Sequence, residues 1–257
     1  MTVLLGTQGW AFRAWAGSFY PDGLAEADML RVYGRQFSTV EVDETFYGLP
    51  PEPVLQEWKA SAPESFIFSL KVPQQITHDR RLVDAEALLL RFVDRVRLLG
   101  DRLGPLLLQL SPDFQPTTEN VATLEAFLPN LPRDLRWAIE FRDPGWIKEE
   151  VLSILRWRGV ALVLADSRWL RRERVLELTR DPTARFLYVR WMGGGLPFTD
   201  FGSVRDDRTP ELTAWAAAFG SVSTRVETIY GYFNNRFAGH GPHSVRLFQE
   251  LIKKRSG

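Results

Sequence analysis

Charged side chains alternate with apolar ones in two short segments of the sequence. In RWAIEFRD, residues 136–143, Glu140 and Arg142 alternate with large apolar side chains. In TVEVD, residues 39–43, Glu41 and Asp43 alternate with valines. A period of two predicts β-strands that present the charged side chains on one face. A carboxylate on such a face can act as a general base, and a guanidinium can hold phosphate or carboxylate.

Further polar side chains end other apolar segments, and we expect them to face the same interior as Glu140: Lys71 in FIFSLK, Gln109 in LLLQL, Asp166 in LVLAD and Arg190 in FLYVRW. Unpaired charge is costly inside a protein, so these carboxylates and cations must pair with one another or meet a ligand. Two interpretations stay open. The charges form a catalytic or binding site, or they are ion pairs that close one end of the fold.

The residue types suggest roles for the charged side chains. Glu140 and Asp43 are candidate general bases, and Glu41 and Asp166 are candidate ligand-binding carboxylates. Lys71 could be a general acid, or a Schiff-base lysine if its surroundings lower its pKa. The forked guanidinium groups of Arg142 and Arg190 suit an anionic ligand, and Lys71 adds a third positive charge.

Loop residues complete the set of candidates. His78 is a proton-transfer candidate or a structural histidine, and Gln8 directly follows the first predicted strand. Asn234 and Asn235, in YFNNRF, either bind a ligand or tie down a loop. The glycine run Gly193, Gly194 and Gly195 either points backbone N–H groups at an oxyanion or forms a flexible loop.

The elements that would position these residues alternate along the chain. Strands are predicted at Val3–Thr7, Thr39–Asp43, Phe66–Val72, Leu106–Leu110, Trp137–Arg142, Val160–Asp166, Arg185–Trp191 and Val226–Tyr232. Amphipathic helical segments are predicted at Pro53–Ser61, Asp84–Leu99, Thr117–Phe127, Ile147–Arg156, Pro210–Phe219 and Ser244–Lys254. This alternation is typical of a parallel sheet covered by helices.

Eight strands in 257 residues predict a single-domain α/β fold over residues 1–257, a TIM-like (β/α)8 barrel. An open doubly wound sheet is disfavoured, because GTQGWAF after the first strand lacks the glycine-rich phosphate turn of that fold. Active sites of TIM barrels lie at the carboxyl ends of the strands. The polar inward side chains are expected at that end.

Composition excludes several functional classes. Lys plus Arg equals Asp plus Glu at 32 each, so no net field recruits nucleic acid or an anionic membrane. The absence of cysteine excludes disulfides and thiolate sites, and the low number of histidines, three, argues against a histidine-rich metal centre. No apolar stretch is long enough for a transmembrane helix, and the first residues lack a signal-peptide pattern, so we expect a cytoplasmic protein.

Seven stretches together resemble the YecE-like family, also called domain-of-unknown-function family 72. They are GTQGWAFRAWAGSFYP (6–21), STVEVDETFYGLP (38–50), FIFSLKVPQQITH (66–78), LGPLLLQLSPDF (103–114), AIEFRDPGW (138–146), FLYVRWMG (186–193) and YFNNRFAGHGPHS (232–244). The resemblance implies a TIM-barrel-like fold distantly related to sugar isomerase and endonuclease-type barrels. It implies no specific activity.

The chain departs from the family pattern near the predicted site. The family motif EFRHPSW reads EFRDPGW here, so that Asp143 replaces its histidine and Gly145 its serine. The family motif YVRLHG reads YVRWMG, so that Met192 replaces its histidine. Asp43 takes the place of a frequent asparagine. The loss of two histidines argues against a histidine-dependent metal or acid–base role.

We therefore expect an enzyme, such as an isomerase or phosphoester hydrolase, that acts on a small anionic ligand. A phosphorylated sugar or nucleotide-like compound would bind at the carboxyl rim of the barrel. The alternatives are a nucleic-acid-binding or repair-related barrel and a metabolite-binding protein without catalysis. Carboxylates without histidine suit Mg or Mn better than Zn, but a metal is not required because Lys and Arg can neutralise the carboxylates. The oligomeric state is left open.

Overall fold

The computed structural model describes residues 1–194, 199–222 and 224–256. Eight strands run through it: β1 Thr2–Thr7, β2 Thr39–Val42, β3 Ile67–Lys71, β4 Leu103–Gln109, β5 Trp137–Glu140, β6 Ala161–Ser167, β7 Phe186–Gly193 and β8 Thr228–Phe233. The helices between and after them are α1 Glu26–Gly34, α2 Glu52–Ser61, α3 Glu86–Val96, α4 Thr118–Phe127, α5 Glu149–Arg158, α6 Arg172–Leu178, α7 Thr209–Phe219 and α8 Gly241–Ser256.

The strands form one parallel sheet in the order β1-β8-β7-β6-β5-β4-β3-β2. Since β1 and β2 are the two ends of this order and also come together, the sheet curls into a nearly closed barrel with helices outside. The predicted TIM-like (β/α)8 fold is confirmed. Helices α1 and α6 were not among the predicted segments, and α6 is only 7 residues long.

The seam between β1 and β2 is joined by a side chain. The hydroxyl of Tyr33, on α1, accepts the Thr7 backbone N–H at 2.8 Å and donates to the Thr39 carbonyl at 3.1 Å. Past the end of β1, Gly9 N–H donates to the Glu41 carbonyl at 2.8 Å. A Cβ on Gly6 would lie 2.0 Å from the Thr39 carbonyl oxygen, so only glycine permits this approach of the two strands.

Alternating side chains divide the core into two layers. Trp137 and Ile139 of β5 pack in the large outer layer between sheet and helices. Ala138, between them, belongs to a small inner cluster that fills the barrel together with Tyr188 and Tyr230. The predicted parity of β5 is therefore observed, and the interior is a packed core with its polar side chains at one end. Within the described residues, no helix is long and apolar enough to cross a membrane.

Candidate functional site

Polar side chains from five strands meet at the carboxyl end of the barrel. Lys71, Gln109 and Glu140 are the last residues of β3, β4 and β5, while Glu41 and Arg190 lie near the ends of β2 and β7. In a parallel sheet the carboxyl ends of all strands share one edge. All five side chains therefore lie at the same end of the barrel. We call this group, together with Asp43 and Arg142, the barrel mouth.

Arg190 is the centre of the barrel mouth. Only 1% of the residue is exposed. Its Nη2 and Nε donate to Glu41 Oε1 at 2.7 and 3.1 Å, and its Nη1 donates to Glu140 Oε2 at 2.5 Å. One guanidinium thus links β2, β5 and β7 inside the barrel. Because three of its nitrogens are bonded to carboxylates, Arg190 is mainly a pairing residue here, and its predicted role in holding a ligand stays a prediction.

A polar layer lies beneath Arg190. The Tyr188 hydroxyl donates to Glu41 Oε2 at 2.6 Å, so both oxygens of that buried carboxylate are bonded. The Tyr232 hydroxyl lies 2.6 Å from Ser69 Oγ and 2.9 Å from Thr39 Oγ1. Tyr188 was not a predicted site residue, although its position two residues before Arg190 places both on one face of β7.

Glu140 has a second set of neighbours. Its Oε1 accepts from Gln109 Nε2 at 3.1 Å. The same oxygen lies 3.6 Å from Arg142 Nε, which is an ion pair but too long for a hydrogen bond. Arg142 Nε is buried and has no hydrogen-bond partner among the described residues. Glu140 and Gln109 are thus satisfied, whereas Arg142 keeps donors to spare.

The pKa values of the two buried glutamates, Glu41 and Glu140, are shifted in opposite directions. Burial raises the pKa of Glu41, since Arg190 and the hydroxyl of Tyr188 offset only part of the desolvation and Asp43 adds a like charge. Burial also opposes ionisation of Glu140, but Arg190, Arg142 and Lys71 together hold the pKa of Glu140 below its usual range. Paired acidic groups with divergent pKa values are a common feature of acid–base sites.

Lys71 and Asp43 form the exposed side of the barrel mouth. Lys71 Nζ lies 3.9 Å from Asp43 Oδ1 and 3.8 Å from the centroid of the Phe46 ring. Asp43 Oδ1 is also 3.9 Å from Arg190 Nη2 and, within the described chain, has no hydrogen-bond partner. Phe46, which was not among the predicted site residues, follows β2 in a short helical turn and covers Lys71.

His78 lies beside this group. It belongs to a single π-helical turn, Gln75–Asp79, after β3. Its Nδ1 is 2.9 Å from Thr77 Oγ1, and its ring meets Phe46 edge to face at 4.9 Å. Burial, followed by the charges of Arg142 and Lys71, lowers the pKa of His78, so its imidazole is neutral at pH 7. A neutral imidazole near the mouth is able to accept a proton.

Gln8 and Asn234 follow β1 and β8 and border the barrel mouth, where Gln8 forms a β-bridge with Glu41. Asn234 Nδ2 donates to Gln8 Oε1 at 2.7 Å, and Gln8 Nε2 lies 3.0 Å from the sulfur of Met192. With the Gln8 amide reversed, its oxygen instead accepts from Arg190 Nε at 3.1 Å. Met192, which stands where the resemblance led us to expect histidine, is thus a direct neighbour of the predicted site residue Gln8.

The prediction that Asp166 faces the barrel interior is wrong. Asp166 Oδ2 accepts from Trp215 Nε1 of α7 at 2.8 Å and from Arg172 Nε of α6 at 2.7 Å. Its neighbours Val163 and Ala165 fill the inner cluster, which fixes Asp166 on the helix side of β6. It therefore pairs outside the barrel, and not with Lys71, Arg142 or Arg190.

Two of the remaining candidates, Asn235 and Gly193, have structural neighbours. Asn235 Oδ1 accepts from Trp15 Nε1 at 3.1 Å and from Gly241 N–H at 2.9 Å, so it ties a loop to the start of α8, one of the two predicted roles. Gly193 has φ 81° and approaches the Arg236 carbonyl, where a Cβ would be 2.4 Å away. Gly194 borders open space. Gly195 lies outside the described residues.

The donor set of the barrel mouth does not fit a divalent cation. Glu41 and Glu140 are bonded to Arg190, so their oxygens already accept hydrogen bonds from a cation. In the described part of the chain, no group of three or more His, Asp or Glu side chains is arranged to hold a metal ion. Among the described residues the barrel mouth therefore offers no arranged ligand set for the suggested Mg or Mn, and its carboxylates are engaged in ion pairs.

Comparisons with known proteins agree on the family. A family model described as "Protein of unknown function DUF72" matches residues 4–257. The UPF0759 protein YunF of Bacillus subtilis (strain 168) is 24% identical over 270 residues, covering 97% of this chain and 94% of that protein.

Solved structures agree as well. A DUF72 family protein from Thermotoga maritima superposes with a TM-score of 0.80 at 25% identity, covering 100% of this chain and 99% of that one. A DUF72 family protein from Enterococcus faecalis V583 superposes with a TM-score of 0.76 at 22% identity, covering 98% of each chain, and supports the fold alone. None of these descriptions states an activity.

Proposed function

Because the chain belongs to the DUF72 family, whose description assigns no activity, we propose a function from the geometry of the barrel mouth. The protein is an enzyme that binds a small anionic ligand, of the class of phosphorylated sugars or nucleotide-like compounds. Arg142 is the anchor for the anion. Asp43 and Lys71 face the ligand as proton-transfer groups.

The observation that carries the proposal is the state of Arg142. Its Nε is buried without a hydrogen-bond acceptor in the described residues, and its ion-pair partner Glu140 is 3.6 Å away. Buried polar groups are nearly always hydrogen-bonded, and an exception calls for an explanation. A planar guanidinium with free donors at a TIM-barrel mouth fits the oxygens of a phosphate or carboxylate.

The surrounding charges leave Arg142 available. Glu140 receives its short charged hydrogen bond from Arg190 and a neutral one from Gln109, so it does not depend on Arg142 for satisfaction. Lys71 adds a second positive charge on the same side. A ligand anion would therefore meet two cations whose hydrogen-bonding capacity is not used up by the carboxylates.

Catalysis is supported by the groups beside the anchor. Asp43 Oδ1 lacks a hydrogen-bond partner among the described residues and lies 3.9 Å from both Lys71 Nζ and Arg190 Nη2. A carboxylate oxygen without a hydrogen-bond partner, facing the ligand side, suits the role of base. His78 is the neutral proton acceptor on the same side. These groups match the sequence-based expectation of an isomerase or phosphoester hydrolase without choosing between them.

Isothermal titration of the protein with inorganic phosphate and with phosphorylated sugars tests the proposal. Arg142→Ala should weaken phosphate binding by roughly ten- to a hundred-fold, because a charge-assisted hydrogen bond contributes about 1.5–3 kcal/mol. The melting temperature should stay close to that of the wild type, since Glu140 keeps its bonds to Arg190 and Gln109.

The matched control is Arg171→Ala, which removes an arginine with 87% of its side chain exposed. It should change neither phosphate affinity nor melting temperature. If Arg142→Ala leaves phosphate affinity unchanged and lowers the melting temperature strongly, Arg142 is a structural partner of Glu140 and the ligand proposal is wrong.

A further inference from the structure

The amine of Lys71 has the surroundings of a nucleophile. We propose that Lys71 forms an imine with the carbonyl carbon of a small aldehyde or ketone that carries an anionic group. This inference rests on the proposed function, because it places the anionic group of that same ligand on Arg142. It names the reacting chemical class: a carbonyl compound with a phosphate or carboxylate.

Lys71 is largely buried, but its amine lies at the barrel mouth. It is the last residue of β3 and is only 9% exposed. Within the described residues, Nζ makes no hydrogen bond, and its neighbours are the face of Phe46 at 3.8 Å and Asp43 Oδ1 at 3.9 Å. The charged amine is held only by this long ion pair and the aromatic face, so burial can favour its neutral, nucleophilic form.

The other lysines differ in their surroundings. Lys59 Nζ, on α2, donates to the Leu98 carbonyl at 3.0 Å at the protein surface. Lys148 Nζ pairs with Glu150 at 3.2 Å, with 42% of its side chain exposed. Burial, with the charge of Arg190, lowers the pKa of Lys71 although Asp43, Glu41 and Glu140 oppose that change. A larger fraction of Lys71 is therefore neutral at pH 7 than of an exposed lysine.

The reaction needs only the amine, the carbonyl compound and a proton. The lone pair of Nζ attacks the carbonyl carbon, a C–N bond forms, and the carbonyl π electrons move to the oxygen. Asp43 takes one proton from the nitrogen and returns it to that oxygen, which gives a carbinolamine. The C–O bond then breaks with uptake of a proton from solvent, and water leaves a protonated imine on Lys71.

Asp43 and Arg142 complete the arrangement. Asp43 is the carboxylate that pairs with Nζ, and 42% of its side chain is exposed, so it can exchange protons with solvent. Arg142, two residues past the end of β5 and separated from β3 by β4, holds the anionic group of the carbonyl compound. The buried pair of Glu41 and Arg190 behind them does not take part in the bond changes.

Reductive trapping tests the proposal. The protein is incubated at pH 7 with cyanoborohydride and with glyoxylate, pyruvate, dihydroxyacetone phosphate or glyceraldehyde 3-phosphate, followed by intact-mass and peptide mass spectrometry. Hydride reduction of the imine should add the mass of the carbonyl compound less one oxygen atom, on the peptide that contains Lys71. Labelling of Lys71 should be clearly faster than that of Lys59, because burial lowers the pKa of the Lys71 amine.

Variants at Lys71 and Lys59 and a phosphate titration show which lysine reacts and which of the two proposals fails. Lys71→Arg, which keeps the charge, and Lys71→Met, which keeps the volume, should both abolish the label, whereas Lys59→Arg should not. Absence of label at Lys71 with all four compounds, or labelling no faster than at Lys59, overturns the imine proposal. Phosphate titration of the same wild-type sample then separates the two ideas. If the wild type binds phosphate but Lys71 is not labelled, only the imine proposal is wrong. If the wild type does not bind phosphate, the proposed function and the imine proposal are both wrong.

Discussion

Arg190 on β7 binds Glu41 on β2 inside the barrel, with Nη2 and Nε at 2.7 and 3.1 Å from the same oxygen, Oε1. The other oxygen of Glu41 accepts the Tyr188 hydroxyl at 2.6 Å. Both residues are almost completely buried. The pair is therefore a fixed internal support, against which the more exposed Lys71, Asp43 and Arg142 are arranged.

Removing this support should cost stability. Arg190→Met strands the carboxylates of Glu41 and Glu140 in the interior, so the free energy of unfolding should fall by about 3–5 kcal/mol at pH 8. Without Arg190 the pKa of each carboxyl rises, and both can become neutral in acid. The deficit relative to the wild type should therefore shrink between pH 8 and pH 5, measured by urea denaturation.

The matched control for that variant is Arg190→Met combined with Glu41→Gln. The double variant removes one stranded charge and should recover part of the lost stability at pH 8. A deficit that is identical in both variants and at both pH values would show that lost packing, and not uncompensated charge, causes the destabilisation.

Asp166→Ala should affect stability and not ligand binding. The change leaves Trp215 Nε1 and Arg172 without their acceptor on the helix side of β6. Bonds that involve a charged group contribute about 1.5–3 kcal/mol, and the free energy of unfolding should fall by about that amount. Phosphate affinity, measured by titration, should match the wild type. A weakened affinity with normal stability would restore the original assignment of Asp166 to the site.

Tyr33→Phe tests the seam of the barrel. Loss of the hydroxyl leaves the buried Thr7 N–H and Thr39 carbonyl without their bridging partner. Each unsatisfied buried group costs about 1–3 kcal/mol, so the melting temperature should drop by several degrees. Tyr47→Phe is the control, because Tyr47 is 76% exposed and should tolerate the change. Equal melting temperatures for both variants would contradict a role for Tyr33 in closure.

His240 should make the protein sensitive to mild acid. Burial, then His243 and Arg246, lowers the pKa of His240 from 6.5 to about 4. The neutral ring accepts the His243 backbone N–H on Nδ1 at 3.1 Å, and Nε2 lies 3.1 Å from Ser18 Oγ. Because the unfolded chain binds the proton first, this contribution to stability is complete above about pH 6.5 and is lost as pH falls toward 4.

The measurement compares the wild type with His240→Asn by urea denaturation from pH 7 to pH 4. Asparagine keeps an acceptor at the start of α8 and does not titrate. The free energy of unfolding of the wild type should fall more steeply than that of the variant, by up to about 1.4 kcal/mol per pH unit in this window. Parallel curves would mean that His240 does not titrate on unfolding.

The sequence by itself determined the fold class and most of the barrel mouth. Strict alternation in RWAIEFRD and TVEVD assigned Glu140 and Glu41 to one face and their apolar neighbours to the other, because a strand has a period of two. The order of strands and helices then required a parallel sheet whose carboxyl ends meet. Local patterns were sufficient for these conclusions because each depends on only a few consecutive residues.

The incorrect prediction for Asp166 came from a strand, β6, that lacks alternation of apolar and polar residues. In ALVLAD every residue before Asp166 is apolar, so both faces of β6 are buried and no pattern shows which face the aspartate joins. Only the packed structure, with Ala165 inside the barrel and Asp166 beside Trp215, settles its direction. A strand buried on both faces carries no parity signal.

The partners of each charge were also decided by tertiary structure. Glu41 and Arg190 are 149 residues apart, and their contact depends on how the sheet closes and on the register of the strands between them. The sequence showed that cations and carboxylates share an interior, but not that Arg190 takes both glutamates and leaves Arg142 with free donors. Glu140 is hydrogen-bonded to Arg190 at 2.5 Å but lies 3.6 Å from Arg142, and only the closed barrel defines these distances.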